Sequence, residues 1–314
     1  MEGLNRDSSP SLSLVSTVLD EIRDQAIMQN ARKGKVEATD PQVFTQRSEP
    51  GKGAVHTTVL GGGGYFDKWT STDVPNRKDA AITAPAYRTT IIAEFSKNLS
   101  VPRTFMRNQQ ESAVAKAVAQ QTKTWLASRD RNAAYAYANG FATNTTIDSV
   151  YMWSASHVNQ NGDTVDNYYT GALTDTNLNI VVNALRQQLA QTGVKLGYEP
   201  DFLFVPGILH EQGAAITKSV LRAGGANNDL NYWSDLYPEM KCVYSPFLDD
   251  VSTTAYFVGA QGHGIERMEN EAFFTDLVDW KTSPQDLYTY KMRAQEEVDT
   301  IEYSGLVASD GSTS

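Results

Sequence analysis

The sequence predicts an α+β fold in which one long helix serves as a strut between an outstretched two-strand loop and a mixed α/β region. Three observations carry that prediction. Within Asn108 to Asn139, the residues Val114, Val118, Trp125, Leu126, Ala133 and Tyr137 recur at helical spacing, so one face is apolar. From Ala54 to Phe95, two runs rich in β-branched residues flank a long polar excursion. From Val150 to Val258, apolar runs follow the order strand, helix, strand, helix, loop, strand, strand.

The long helix has recognisable ends. Asn108 is its expected N-cap, with Glu111 as the capping-box partner. Gly140 stands where a left-handed C′ residue closes a helix. No proline interrupts the run, and alanine fills many intervening positions. At about 1.5 Å per residue it extends roughly 45 Å, longer than most compact cores need. Arg129, Asp130, Arg131 and Asn132 thin its apolar stripe near the middle, as suits a strut across a broad, flat molecule.

Ahead of it, residues 1 to 12 read as a loose polar arm. A helical pattern follows, with Leu14, Val15, Val18, Leu19, Ile22, Ala26 and Ile27 on one face. Its end near Arg32-Lys33-Gly34-Lys35 has two readings, a contact for packaged nucleic acid or cations completing a helix C-terminus. The second is favoured, because Gly34 supplies the cap. Ala54 to Leu60 is a short extended run. Tyr87, Thr89, Ile91, Ala93 and Phe95 alternate with Arg88, Thr90, Ile92 and Glu94, the period of a half-buried strand. Together they predict a ribbon with a flexible tip. An isolated ribbon is barely stable in water, and no neighbouring amphipathic segment remains to cover it, so its support is expected from another subunit.

Behind the long helix, Val150 to Ser154 is expected as a short strand and Asn159 to Asp163 as a polar loop. A helix from Thr174 or Asp175 to Gln191 turns Leu178, Val181, Val182, Leu185 and Leu189 inward, with Gly193 at its end. Asp201 to Pro206 is continuously apolar and stopped by Pro206, a strand buried on both faces. Ile208 to Leu221 predicts a third helix, followed by a glycine-rich loop, Ala223 to Asp229. Cys242 to Tyr244 and Ala255 to Val258 are further strands. The runs 286–292 and 298–303 again read as strands, and residues after Ala308 are expected to fray.

Composition removes several function classes. The 314 residues are 40% hydrophobic and 20% charged, enough for a real core in one large domain or two ordinary ones. A net charge of −10 argues against gripping nucleic acid over a large surface. Cys242 is the only cysteine, which excludes a disulfide framework and a thiolate metal cluster. Met1 to Ser8 lacks the apolar run of a signal peptide, and no stretch approaches about 18 apolar residues. A soluble protein of a reducing compartment, with no membrane partner, is expected.

No reaction centre emerges. Gly61 to Gly64 lacks the Gly-Lys-Ser/Thr that opens a phosphate-cradling helix, and Tyr65-Phe66-Asp67 follows instead, so a hinge is favoured. His210-Glu211 begins a zincin-like pattern, but Ala214 occupies the second ligand position. His56, His157 and His263 are scattered. Cys242 sits in an apolar strand and reads as a buried structural thiol. Gly259, Gly262 and Gly264 read as a turn, and so do Asp249 and Asp250. Glu266, Glu269, Glu271, Asp276 and Asp279 could surround a cation, yet they lack ligand spacing and read as a solvated face. Asp67, Asp73 and Asp79 on the tip are expected to meet basic groups of a neighbour. No catalytic residue, metal ligand or cofactor is predicted.

This order of parts, arm, two-strand loop, spine helix, mixed α/β domain and returning strands, resembles the major capsid protein of tailed bacteriophages, the HK97-type fold. The middle carries closer motifs. Trp153-Ser154-Ala155-Ser156-His157, the helix 174–191, Pro200 to Pro206, Asn228-Asp229-Leu230-Asn231 and Ser245-Pro246-Phe247-Leu248 are similar to the Mu-type major head subunit family, over roughly residues 150 to 260.

The resemblance implies an N-terminal arm over 1–44 and an extended loop over 45–97. It implies a peripheral domain of 98–171 and 276–314, with spine helix 108–139, and an axial domain over 172–275. Inter-subunit contacts of the loop would fall on Tyr65, Phe66, Asp67, Lys68, Trp69, Arg77 and Lys78. The loop with Gly224, Gly225, Asn227, Asn228 and Asp229 would point to five- and six-fold centres. Function would be structural: self-assembly into pentamers and hexamers of an icosahedral head enclosing double-stranded DNA, in the bacterial host cytoplasm and then in the virion. Scaffold, portal and decoration proteins would be separate partners. Some members cross-link a loop lysine to an asparagine; Lys52, Lys68 and Lys78 lie in this loop, but no motif selects one. An acidic wall also suits a container whose DNA must leave again, since a basic one would hold it tightly. Two other readings stay open: an encapsulin-like nanocompartment shell around cargo enzymes, and an enzyme with an unrecognised site.

Overall fold

A computed structural model describes residues 43–58, 61–62, 82–83, 87–104, 111–219, 231–278 and 287–312. The expected N-terminal helix with its basic end, the tip of the two-strand loop and the loop Ala223 to Asp229 lie outside these residues.

In chain order the first strands are β1 (Thr45–Ser48), β2 (Ala54–Thr58), β3 (Gly61–Gly62), β4 (Ile82–Thr83), β5 (Tyr87–Ile91) and β6 (Ala93–Pro102). Helix α1 (Glu111–Ala138) follows, then short strands β7 (His157–Val158), β8 (Thr164–Val165) and β9 (Tyr168–Tyr169). Next come α2 (Asp175–Gln187), β10 (Phe202–Pro206), α3 (His210–Lys218) and α4 (Tyr232–Leu236). Strands β11 (Lys241–Ser245), β12 (Tyr256–Gly259), β13 (Ile265–Val278), β14 (Leu287–Thr300) and β15 (Leu306–Ser309) complete the described chain.

Two sheets share the helix α1. The first has the order β1-β13-β14-β6, antiparallel except for the parallel pair β1 and β13. The N-terminal half of α1 lies on it, with Val114 and Val118 packed among Val101, Tyr290 and Met292. The Trp125 ring stacks on Phe273 with centroids 4.3 Å apart. Farther along, Ala133, Ala134, Tyr137 and Ala138 leave that sheet and enter the core of the second.

The second sheet has the order β11-β10-β12-β15-β9. Side chains alternate across it, and both faces are covered. Phe202, Phe204, Phe257, Leu306 and Ala308 pack on the Tyr137 and Trp153 side. Leu203, Val205, Tyr256, Val258 and Val307 pack on the helical side, against Leu178, Val181, Val182 and Leu185 of α2 and Trp233 of α4. That double burial is why β10 reads as an unbroken apolar run. Fully burying each such aromatic or aliphatic side chain is worth roughly 1.5–3 kcal/mol, so this sheet is the thermodynamic centre of the chain.

Several expectations change. Gly140 is not among the glycines in the left-handed conformation. α1 runs instead into a tight turn at Asn139–Phe141, and Gly140 is needed for space. A Cβ there would lie 2.5 Å from Trp153 Nε1, which itself donates to Tyr137 O at 2.7 Å. Arg129 does not thin the buried face but is buried, with its Nε 3.0 Å from Glu296 Oε1 on β14 as an ion pair poorly angled for a hydrogen bond.

Residues 150–154 are a turn rather than a strand. Only Thr145 and Tyr151 form a bridge, because Asp148 gathers the Thr146 hydroxyl and the Val150 N–H into a tight loop. α2 stops at Gln187, four residues before the expected end. Gln188 leaves the helical path so that its amide can donate to Tyr303 O and Leu306 O and accept from Gly305 N. α3 is shorter than predicted, spanning His210–Lys218.

Glu266, Glu269, Glu271 and Asp276, read in the sequence as a solvated face, lie on the strand β13 (Ile265–Val278), the first three half-buried and Asp276 exposed. Residues after Ala308 do not fray at once. Ser309 closes β15, its hydroxyl donates to Gly171 O, and Asp310 Oδ2 accepts from the Tyr168 hydroxyl at 2.7 Å.

Candidate functional site

The root of the ribbon is where the chain prepares a contact. β2 and β5 pair antiparallel, with Val55 opposite Thr90 and Thr58 opposite Tyr87. The two-residue period of strands then gives the ribbon two faces.

One face sits on the chain's own body. Val55 packs with Met268, Ile301 and Ile92. Arg88 grips Asp299 of β14 with both prongs, Nε to Oδ2 at 2.8 Å and Nη2 to Oδ1 at 2.7 Å, and the Thr90 hydroxyl adds a bond to Oδ2 at 2.5 Å. Arg47 Nη1 donates to Thr57 Oγ1 at 3.0 Å. Support expected from another subunit therefore comes, at the root, from the chain itself.

The other face is open. Ala54, His56, Thr58, Tyr87, Thr89 and Ile91 are all exposed, Tyr87 by 73% and Ile91 by 75%. The predicted alternation is present, but its large apolar side chains face outward. Bidentate bonds to a carboxylate are among the strongest polar contacts available, and they turn the Arg88 and Thr90 face inward at the expense of the apolar one.

Buried charge ties the sheet to the helix beside this root. Glu296 Oε2 accepts from Arg267 Nε at 3.1 Å and from Nη2 at 2.5 Å, and Arg267 Nη2 also reaches Glu269 at 2.6 Å. Burial pushes the Glu296 carboxyl up to about 7, against the pull of Arg267. Burial, reinforced by Glu266, likewise lifts Glu302 to about 7.

The remaining candidates are structural. Burial raises the Cys242 thiol to about 11, so it carries little thiolate. His157 lies 2.7 Å from Asp148 Oδ2 and 3.1 Å from Met152 O. Burial raises the Asp148 carboxyl, but bonds from His157, Thr146 and Val150 outweigh that and hold it low. Among the described residues no group of three or more His, Cys, Asp or Glu could hold a metal ion, and no helix is long and apolar enough to cross a membrane. Glu266, Glu269, Glu271 and Asp276 are strung along β13, and Asp279 lies outside the described residues.

None of the tip residues Tyr65, Phe66, Asp67, Lys68, Trp69, Arg77 and Lys78 is among the described residues, nor are Gly224, Gly225, Asn227, Asn228 and Asp229. The structure brings forward Tyr87 and Ile91 instead. Their alternation was visible in sequence; the outward direction was not.

A family model described as phage capsid protein matches residues 86–309, more than half of the chain. The chain belongs to the phage capsid protein family. The protein is thus a structural capsid subunit with the HK97-like fold. No curated protein matches the sequence of this capsid subunit. Solved structures share its fold at low identity. A protein of Microbacterium phage Oxtober96 is 11% identical with a TM-score of 0.53, covering 88% of this chain and 90% of its own. The procapsid of bacteriophage JBD30 gives 13% identity and a TM-score of 0.51, over 98% of this chain and 77% of the other. The virus-like particle from Pyrococcus furiosus gives 8% and 0.52, over 94% and 97%.

Proposed function

We propose that this capsid subunit is the major head protein of a tailed phage of the Mu type, forming pentamers and hexamers that close into an icosahedral shell around double-stranded DNA. Assembly takes place in the bacterial host cytoplasm, with scaffold and portal as separate proteins. The observation that carries this reading is the ribbon root. Its polar face is locked to the chain's own body by Arg88 and Asp299, while Tyr87 and Ile91 are held out in water. A side chain so placed gains its burial from a neighbour. The Mu-type assignment rests on the motifs between Trp153 and Leu248.

In this reading the arm is 1–44, the loop 45–97, the peripheral domain 98–171 with 276–314, and the axial domain 172–275. The tip residues Tyr65 to Lys78 reach a neighbour, and Gly224 to Asp229 line the capsomer centre. Excising residues 63–81 while keeping β2 and β5 paired is expected to give folded subunits that do not assemble. Normal shells from that variant would refute the role of the tip. The likeness to the Pyrococcus particle supports a second reading, a nanocompartment shell. Particles purified from the expressing cell with protein cargo and no DNA would favour it.

A further inference from the structure

His157 closes the run Trp153-Ser154-Ala155-Ser156-His157 and is fully buried, and the capsid reading gives it no task. Both of its ring nitrogens face acceptors. Nδ1 lies 2.7 Å from Asp148 Oδ2, and Nε2 lies 3.1 Å from Met152 O. A neutral imidazole has one N–H, and its other nitrogen is a bare lone pair. In either neutral tautomer that lone pair would point at an oxygen with no proton between them. Only the imidazolium donates to both acceptors.

Asp148 does not supply the missing proton. Its other oxygen, Oδ1, already takes the Thr146 hydroxyl and the Val150 N–H. Despite burial, the bonds from His157, Thr146 and Val150 hold its carboxyl low. His157 is the only basic side chain that pairs with Asp148 among the described residues. The rest of the surroundings also suit a cation. The Tyr303 ring lies beside the imidazole with centroids 4.6 Å apart, within the range of a cation–π contact. The ionisable groups around Tyr303, namely Glu302, Tyr198 and Asp163, are all acids.

The pair joins two parts of the fold. On the Asp148 side, the loop 144–150 sits on the end of the first sheet. Ile147 N donates to Ile301 O at 2.9 Å, and Thr300 Oγ1 donates to Thr145 O at 3.0 Å. On the His157 side, β7 pairs with β8, and the chain runs on into β9 at the edge of the second sheet. Between β8 and β9, Asn167 O accepts from Ala308 N at 2.9 Å, and its amide donates to Met152 O at 2.8 Å.

We propose that His157 is held as an imidazolium and that its ion pair with Asp148 is a proton-dependent clasp between the two sheets. Loss of the proton leaves Asp148 a buried, unpaired carboxylate among other acids, which is strongly unfavourable. It also leaves a ring lone pair against an acceptor. Both effects drive the loop 144–150 away from β7.

The test labels the full chain with nitrogen-15 histidine and reads the ring nitrogens by magic-angle-spinning NMR, the His157 signals being those missing from His157→Gln. At pH 7.5, where a free imidazole is mostly neutral, two protonated ring nitrogens are expected. Asp148→Asn is expected to convert them to one protonated and one bare nitrogen. As pH is raised on wild type, loss of the second ring proton and faster hydrogen exchange over residues 144–158 are expected to share one midpoint, with β10 unchanged. A neutral ring at pH 7.5 overturns the proposal. So does a proton lost with no change in exchange, or one lost only when exchange in β10 quickens too.

Discussion

Arg88 and Asp299 are joined by two parallel hydrogen bonds, of 2.8 and 2.7 Å, across 211 residues of sequence. This pair decides which face of the ribbon root meets the body and which meets water. Replacing Arg88 by Ala leaves Asp299 with the Thr90 hydroxyl and the Thr300 N–H. The expected cost is about 1.5–3 kcal/mol, the range for a hydrogen bond to a charged group. The loss is local. Hydrogen exchange is expected to quicken in β2 and β5 and to stay unchanged in β10; equal acceleration in both would show that the pair holds more than the ribbon.

Gly140 offers a test whose sign is informative. At an ordinary helical position, Gly→Ala stabilises by about 0.5–1 kcal/mol. Here the added Cβ would press on Trp153 Nε1 at 2.5 Å and Cδ1 at 2.8 Å, and overpacking of this kind costs about 1–3 kcal/mol. Gly140→Ala is therefore expected to lower the urea midpoint. A raised midpoint would mean that Trp153 yields freely.

The elements legible in the sequence were those whose pattern is set locally. α1 followed from Val114, Val118, Leu126, Ala133 and Tyr137, all buried. β10 followed from an unbroken apolar run. β13 was hidden because Glu266, Glu269, Glu271 and Asp276 interrupt it and register shifts between Glu269 and Phe274 destroy a clean two-residue period. β15 was hidden because four residues near a polar tail carry little signal, and its burial comes from β12 and β9, which flank it from far away in sequence. At the ribbon, alternation from Tyr87 to Ile91 gave the period but not the face. Asp299, which selects the face, is too distant for any local pattern to report.

Glu302 predicts a pH dependence. Its carboxyl titrates at about 7 in the folded chain and at about 4.3 when unfolded. A raised acid contributes stability that is complete below the unfolded value and is lost as pH climbs through the folded one, up to about 4 kcal/mol. Glu302→Gln is expected to match wild type at pH 4 and to be more stable at pH 8. Parallel thermal unfolding curves at both pH values would contradict this.

Cys242 is expected to resist a thiol reagent at pH 8, since burial raises its thiol to about 11, and to react at once when urea unfolds the chain. Rapid labelling of the native protein would show that β11 opens readily.

The central claim is that this chain is completed by copies of itself. Electron microscopy of the purified protein across a concentration series tests it most directly. Rings or closed shells appearing above a threshold concentration are expected. A monodisperse monomer at the highest concentrations, with Tyr87 and Ile91 still in water, would contradict it.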